Sequence, residues 1–224
     1  FGVKIRYAPL KQDFRVDVEA VRKMINRRTI LLVGSAPSYP HGVIDPIEEL
    51  GKVAQQYDLP LHVDSCLGGF LLPFIEKNDG SIPPFDFRIP GVTSISADVH
   101  KYGFAAKGAS TVVYRDMKYM KHQFFIHQDW PGGVFASPAL LGTRPGGSFA
   151  AAWAAIHALG EDGYCANAQK IMEITRELQS GITNIDGLAI LGQPEMSVFA
   201  YHSTDDKVNI FAVGDQMESR GWQI

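Results

Sequence analysis

Gly91-Val92-Thr93-Ser94-Ile95-Ser96-Ala97-Asp98-Val99-His100-Lys101-Tyr102-Gly103 is the stretch from which the fold is read. Gly91 to Ile95 is β-branched enough to be a buried strand. The segment that follows carries His100 and Lys101, and Gly103 lets the backbone turn. A lysine directly after a histidine at the end of a core strand is expected to be partly desolvated beside a second potential cation. Both effects favour the neutral amine, the form that attacks a carbonyl. Taken alone, Lys101 reads first as a loop lysine with its ammonium in water. What changes that reading lies upstream.

Thr29 to Ser35 is a continuous apolar run ending in small residues, the pattern of a parallel strand covered on both faces. The loop Ala36 to Gly42, rich in Pro and Gly, follows it. Pro46 to Tyr57 is expected to be a helix, with Asp45 as its N-cap and Glu48 and Glu49 in the first turn. Leu59 to Ser65 is a further short strand. Strand, loop, helix and strand recur without polar alternation, which is βαβ organisation with a mainly parallel sheet. Ligands of such sheets collect beyond the carboxyl ends of the strands, and Ser35, Asp64 and Lys101 all fall there.

Composition excludes more than it assigns. The chain has 224 residues, 46% hydrophobic and 20% charged, with a net charge of -3. This gives no basic footprint for nucleic acid, and there is no Lys/Arg run for a membrane surface. No apolar run approaches the roughly 18 residues needed to span a bilayer, and there is no signal-peptide layout. Cys66 and Cys165 lack metal-type spacing and read as reduced thiols in a cytosol-facing protein. The opening Phe1 to Tyr7 and the closing Trp222 to Ile224 both read as strand-like, without an initiating Met, so the chain is expected to be a piece of a longer protein.

Elsewhere, Phe14 to Ile25 is expected to be a helix capped by Asp13. Residues 67–90 are a Gly/Pro/Phe-rich connection, and Ser110 to Tyr114 is a strand paired after a tight turn at Lys107-Gly108-Ala109. Residues 120–147 are loop-rich. Phe149 to Leu159 is an Ala-rich helix suited to close packing, and a longer amphipathic helix runs from about Tyr164 to Ile182, with Ile171, Ile174, Leu178 and Ile182 on one stripe. The texture changes near Asn184. Residues 1–183 are therefore assigned to part of a large domain and residues 184–224 to the start of a small α+β C-terminal domain.

A carboxylate at the end of one core strand and a lysine beyond another suit a pyridine ring lying between them. Pyridoxal phosphate (PLP) needs such a pair: the lysine binds its aldehyde, and the carboxylate keeps the ring nitrogen protonated. No metal is expected; a site on Asp64 and His62 lacks partners, the two being read as facing opposite sides of their strand.

His62 to Phe70 together with Ser96 to Gly103 resembles the group II PLP-dependent decarboxylase family, of the aspartate aminotransferase fold (fold type I). Gly34-Ser35-Ala36-Pro37, Phe85-Asp86-Phe87-Arg88, Lys107-Gly108, Asp129-Trp130-Pro131-Gly132-Gly133 and Gly142-Thr143-Arg144-Pro145-Gly146-Gly147 are similar to the branch of that family acting on phosphorylated sphingoid bases. The similarity covers nearly the whole chain in the same order.

The resemblance implies that Lys101 is the Schiff-base lysine and that Asp64 partners the pyridinium nitrogen. His100 is implied as a ligand of the cofactor phosphate, against the alternative of a satisfied core histidine. Thr143 occupies the place from which the neighbouring subunit reaches that phosphate, or is a simple turn residue. Ser35 either bonds the ring's phenolate oxygen or caps the following turn. Lys107 is implied for the substrate's phosphate, with Tyr39 as a second candidate, against a solvated surface lysine; a phosphorylated substrate needs a second cation and an unphosphorylated amino acid does not. Cys66 reads as packing.

The implied activity is carbon–carbon cleavage of a phosphorylated long-chain base to a long-chain aldehyde and phosphoethanolamine, in sphingolipid degradation. The implied assembly is a homodimer. In eukaryotic relatives a membrane segment outside this stretch would place the enzyme at the endoplasmic reticulum with its catalytic domain in the cytosol, whereas bacterial relatives are cytoplasmic. An amino-acid decarboxylase of the same family and a non-catalytic PLP-fold protein are the alternatives.

Overall fold

The β-branched and apolar runs of the sequence assemble into one four-stranded sheet of order β1-β2-β3-β4, formed by Leu32–Ser35, Leu61–Asp64, Val92–Ala97 and Thr111–Tyr114. The computed structural model describes residues 2–79 and 81–223. β1, β2 and β3 are parallel, and β4 returns antiparallel to β3. The sheet is mixed but mostly parallel, as βαβ connections require.

Helix α1 spans Val18–Met24 and α2 spans Ile47–Gln56. Both start later than the sequence pattern predicts, and the expected caps are reassigned. Asp17, not Asp13, caps α1, accepting from the N–H groups of Glu19 and Ala20; Phe14 sits at φ 66° and cannot be helical. Pro46 stands at the N-cap of α2 without a side-chain bond. Asp45 is buried and accepts instead from Val16 N at 3.0 Å and Ser35 N at 2.9 Å. Its carboxylate ties the N-terminal loop to the end of β1, and burial pushes its pKa up despite those two bonds. Ile47, Leu50 and Val53 bury one face of α2 against Leu61, Val63 and Val92, each side chain contributing about 1.5–3 kcal/mol.

The 67–90 connection holds a 3₁₀ turn at Gly68–Phe70 and a helix that the sequence reading passed over, α3, Leu72–Asp79. A short helix α4, Met117–Met120, precedes a hairpin of β5, Phe125–His127, and β6, Phe135–Ser137. Helix α5, Gly146–Thr183, is broken at Gly160, whose φ of 60° and ψ of -177° are non-helical. The two expected helices are thus its two halves. The buried face of the second half is Tyr164, Ala168, Met172 and Thr175, whereas Ile174 and Leu178 of the expected stripe are exposed. Trp153 of the first half is also 66% exposed, contrary to the close packing expected there.

β7, Leu188–Ile190, and β8, Tyr201–Ser203, form an antiparallel pair followed by α6, Ile210–Glu218. Residues 2–9 form no strand, and neither do residues 219–223. Phe1 and Ile224, the ends of those two stretches, lie outside the described residues. Among the described residues no helix is long and apolar enough to cross a membrane.

Candidate active site

The strand register sets one row of side chains across the carboxyl edge of the sheet. Ser35, the last residue of β1, pairs with Asp64, the last of β2, and Asp64 pairs with Ser96 of β3. Side chains alternate along a strand, so residues two apart share a face. On β2, Leu61 and Val63 are buried in the core, while His62 and Asp64 stand on the other, half-open face. The expectation that His62 and Asp64 point to opposite faces is therefore wrong. His62 Nδ1 lies 2.9 Å from Ser94 Oγ, one rung below Asp64 and Ser96, and burial lowers the His62 pKa, with Asp64 opposing.

Asp64 is held in its ionised form. Its Oδ1 accepts from Cys66 N at 3.1 Å and from Ser96 Oγ at 3.0 Å. Burial raises its pKa, but the Cys66 thiol and N–H, the Ser96 hydroxyl and His62 outweigh it, and the carboxyl stays below the usual range. Two features hold the turn after β2. Ser65 Oγ donates to Ala36 O at 2.7 Å, and a side chain at Gly68 would run into Leu72, Ser65 and the carbonyl of Ala36.

Beyond β3 the chain makes a turn that presents His100 and Lys101. Lys101 N donates to Asp98 O at 3.0 Å and His100 N to Ala109 O at 3.0 Å. The turn is held from below by Tyr164, whose hydroxyl donates to Gly103 O at 2.9 Å while its ring stacks on Phe74 at 4.9 Å. Tyr102 Oη and Ser197 Oγ, 2.6 Å apart, connect it to the segment between β7 and β8.

Lys101 does not have the electrostatics that the sequence predicts. Burial favours its neutral form, but hydrogen bonds to Cys66 and Asp98 outweigh that, and the pKa is raised. Cys66 is the larger of the two raising influences, and Asp98 adds an ion pair, its Oδ2 lying 3.0 Å from Lys101 Nζ. The Cys66 thiol is coupled electrostatically to both Asp64 and Lys101. The main chain of Cys66 joins the two turns: its N–H donates to Asp64 Oδ1 at 3.1 Å and its carbonyl accepts from Asp98 N at 3.2 Å. Burial pushes its thiol up, with Lys101 opposing.

His100 Nδ1 lies 2.7 Å from Ala109 O. A carbonyl only accepts, so Nδ1 carries the proton, and Nε2 is the nitrogen left to meet a ligand, 3.8 Å from Asp98 Oδ2. Ser35 is half-buried at the end of the Asp64 row, its N–H taken by Asp45. Lys107, Thr143 and Tyr39 are exposed, Tyr39 at 76%, and among the described residues none has a side-chain hydrogen bond to Asp64, His100 or Lys101. The structure therefore brings together Ser35, Asp64, His100 and Lys101, and leaves Lys107, Tyr39 and Thr143 on loops around them. Sequence reasoning missed Asp98 and Ser96. An acid three residues before the lysine in a turn is a readable signal for the first; the second needs the strand register.

Such a site, at the carboxyl edge of a mostly parallel sheet, defines the class of aldehyde-cofactor enzymes built on an α/β layer. The pyridoxal-dependent decarboxylase conserved domain matches residues 1–203, and the chain belongs to that family. It is 52% identical over 224 residues to the sphingosine-1-phosphate lyase of Oryza sativa subsp. japonica, covering 100% of this chain and 41% of that protein. Against sphingosine-1-phosphate lyase 1 of Rattus norvegicus it is 50% identical over 225 residues, covering 100% of this chain and 39% of the relative. The solved structure of the Burkholderia pseudomallei K96243 sphingosine-1-phosphate lyase superposes with a TM-score of 0.91 at 46% identity, over 96% of this chain and 49% of that one. The chain thus spans about two fifths of the length of these curated relatives.

The cofactor of the family is PLP, and the residues fit it. An amine and an ionised carboxylate, the two groups its aldehyde and ring nitrogen require, stand beyond the carboxyl ends of the neighbouring strands β3 and β2, and His100 Nε2 is unclaimed by the backbone.

Proposed function

We propose that this protein is a PLP-dependent carbon–carbon lyase that cleaves sphingosine 1-phosphate and related phosphorylated long-chain bases to a long-chain aldehyde and phosphoethanolamine. The observation that carries the reading is Asp64 at the end of β2 next to the turn after β3 that holds Lys101, the two tied by the Asp98 N to Cys66 O bond of 3.2 Å, in a chain half-identical to lyases of that name. Bound PLP supplies an electron sink for the pair released when the bond beside the amine-bearing carbon breaks.

The residues act as follows. Asp64, kept ionised by Ser96 and Cys66, holds a proton on the ring nitrogen. Lys101 would hold the cofactor, and its free amine would be the group that takes a proton from the substrate hydroxyl and returns one to carbon. His100 Nε2 and the Ser35 hydroxyl orient the cofactor, with Thr143 of a neighbouring copy completing the phosphate site. Lys107 and Tyr39, exposed and free of ion pairs among the described residues, take the substrate phosphate.

We further propose a homodimer, on the support of Phe125, Ile126, Trp130, Leu140, Leu141 and Trp153, large apolar side chains exposed on β5, the loops of the hairpin region and the first half of α5, whose burial against a second copy would be favourable. A division after Thr183, where α5 ends, into a large and a small domain is part of the same reading.

An amino-acid decarboxylase is the second reading. It is favoured by 35% identity to a protein of Methanothermobacter thermautotrophicus named as a probable L-tyrosine/L-aspartate decarboxylase. The test is to incubate the full-length protein with PLP, reduce with borohydride and map the pyridoxyl group by mass spectrometry, then assay aldehyde against carbon dioxide. A pyridoxyl group on Lys101 and aldehyde from sphingosine 1-phosphate are expected. An unmodified Lys101 in folded protein sinks the catalytic reading, and carbon dioxide from glutamate or an aromatic amino acid moves the decarboxylase to first place.

A further inference from the structure

We propose that Asp98 is the positioning residue of Lys101: its carboxylate fixes Nζ beside the Asp64 row and keeps the amine protonated until a carbonyl group is presented to it. The proposal rests on the reading of Lys101 as the cofactor-binding lysine, and deepens it.

The contact is built into the turn from both main chain and side chain. Asp98 N donates to Cys66 O at 3.2 Å and Asp98 O accepts from Lys101 N at 3.0 Å, so the two residues are locked in one turn. Asp98 Oδ2 lies 3.0 Å from Lys101 Nζ. Asp98 Oδ1 accepts the hydroxyl of Ser110, from the start of the returning strand. With one oxygen on each partner, the carboxylate has no freedom to swing away. Its side chain is only 12% exposed while that of Lys101 is 32% exposed, so the pair lies at the boundary where water screens the attraction only in part.

The other titratable groups facing Lys101 are few. Cys66, in the turn after β2, raises the Lys101 pKa alongside Asp98 and is itself bonded through its N–H to Asp64. His100 Nε2 lies 3.8 Å from the same Asp98 oxygen that holds Lys101. Among the described residues Asp98 is the one group in ion-pair contact with Nζ. An amine attacks a carbonyl only through its lone pair. While Asp98 holds Lys101 as an ammonium, the nucleophile is aimed but silent, and a proton must leave Nζ before it reacts. Loss of the charge at Asp98 therefore has two opposite effects: Lys101 becomes neutral at lower pH, and its Nζ loses its fixed place.

Competitive labelling separates the two, and it reads Lys101 without turnover. Cofactor-stripped full-length protein is pulsed with acetic anhydride across pH, and acetylation of each lysine is followed by mass spectrometry. In the wild type the labelling midpoint of Lys101 is expected above that of the chain's exposed lysines. Asp98→Asn is expected to lower it by about one unit, which is about tenfold more labelling at a fixed pH below the midpoint. Asp98→Glu, which keeps the charge, is expected to restore most of the wild-type profile. The borohydride-trapped pyridoxyl yield on Lys101, measured beside it, should fall in Asp98→Asn and recover in Asp98→Glu.

A midpoint unmoved by Asp98→Asn overturns the proposal. If that variant does not fold by circular dichroism, the wild-type comparison decides, and a Lys101 midpoint no higher than that of the exposed lysines overturns it equally. Pyridoxyl mapping on the wild type reports separately on the underlying reading. A pyridoxyl group on another lysine removes the role of Lys101, and with it that of Asp98, even where the labelling shift is present.

Discussion

Asp64 and Ser96 face each other across the parallel β2–β3 pair, and the Ser96 hydroxyl donates to Asp64 Oδ1 at 3.0 Å. This one side-chain bond is contributed by a neighbouring strand, and it is one of the bonds that hold the Asp64 carboxyl below its ordinary range. Ser96→Ala removes it and leaves the Cys66 groups and His62. A loss of about 1 kcal/mol is expected, which is roughly fivefold weaker binding of PLP, read by absorbance titration of the stripped protein. Unchanged binding would show that Asp64 is held well enough by Cys66 and His62.

Asp64→Asn keeps the shape and removes the charge. Because the amide cannot balance a protonated ring nitrogen, the turnover rate should drop by roughly 100-fold, or about 3 kcal/mol, the upper range for a hydrogen bond to a charged group. Borohydride trapping on Lys101 should still occur. A variant with near wild-type turnover would take Asp64 out of the chemistry.

Lys107 lies on the exposed turn between β3 and β4. If it holds the substrate phosphate, Lys107→Ala should raise KM for a phosphorylated long-chain base by roughly tenfold, matching about 1.5 kcal/mol for one charge-assisted bond. PLP affinity should not change. Equal KM values for the variant and wild type would assign Lys107 to solvent.

Arg88 makes a paired contact with Glu76 at 2.6 and 2.9 Å, and its Nε lies 2.9 Å from Asp86. Burial raises the Asp86 pKa, but the bonds to Arg88 prevail and lower it from the ordinary 3.8. A depressed carboxyl stabilises the fold fully above its unfolded value and loses that contribution as pH falls through the folded one. Thermal unfolding of the wild type should therefore fall more steeply below about pH 4 than that of Asp86→Asn. The difference is small because the pair is half-exposed, and superimposable acid limbs would show that it adds nothing.

Gly42 has φ +68°, its N–H donates to Ser38 O at 2.8 Å, and a side chain there would run into the carbonyl of Val198. Gly42→Ala is expected to cost of order 1–3 kcal/mol in backbone strain alone, lowering Tm by roughly 2–4 °C per kcal/mol for a chain of this size. Differential scanning fluorimetry checks it, and an unshifted Tm would mean that the loop and the 194–198 segment do not pack as described.

Much of this was legible in the residues themselves. Apolar runs ending in Ser35 and Asp64, and a β-branched run leading to Lys101, fixed the parallel strands and placed three site residues at one edge, because strand period and burial on both faces are local properties of composition. Helix starts were less legible. Asp13 and Asp45 look like caps in sequence, but Asp17 takes the first role and Asp45 is drawn into the Val16 and Ser35 amides, since a carboxylate goes to whichever backbone donors the fold leaves buried. The same limit hid the buried face of α5, where Met172 and Thr175 win over Ile174 and Leu178 because α5 packs against α3 and β7.

The sequence alone determined the residue types that can do the chemistry, an amine at Lys101 and a carboxylate at Asp64, and the order of strands that carries them. Only the tertiary structure decided their electrostatic state. Asp64 is held ionised by a serine on the next strand and a cysteine in the following turn, and Lys101 is held charged by Cys66 and Asp98 rather than driven neutral by burial. Charge states depend on distances of about 3 Å between groups from different turns, and those distances exist only once the strands are in register.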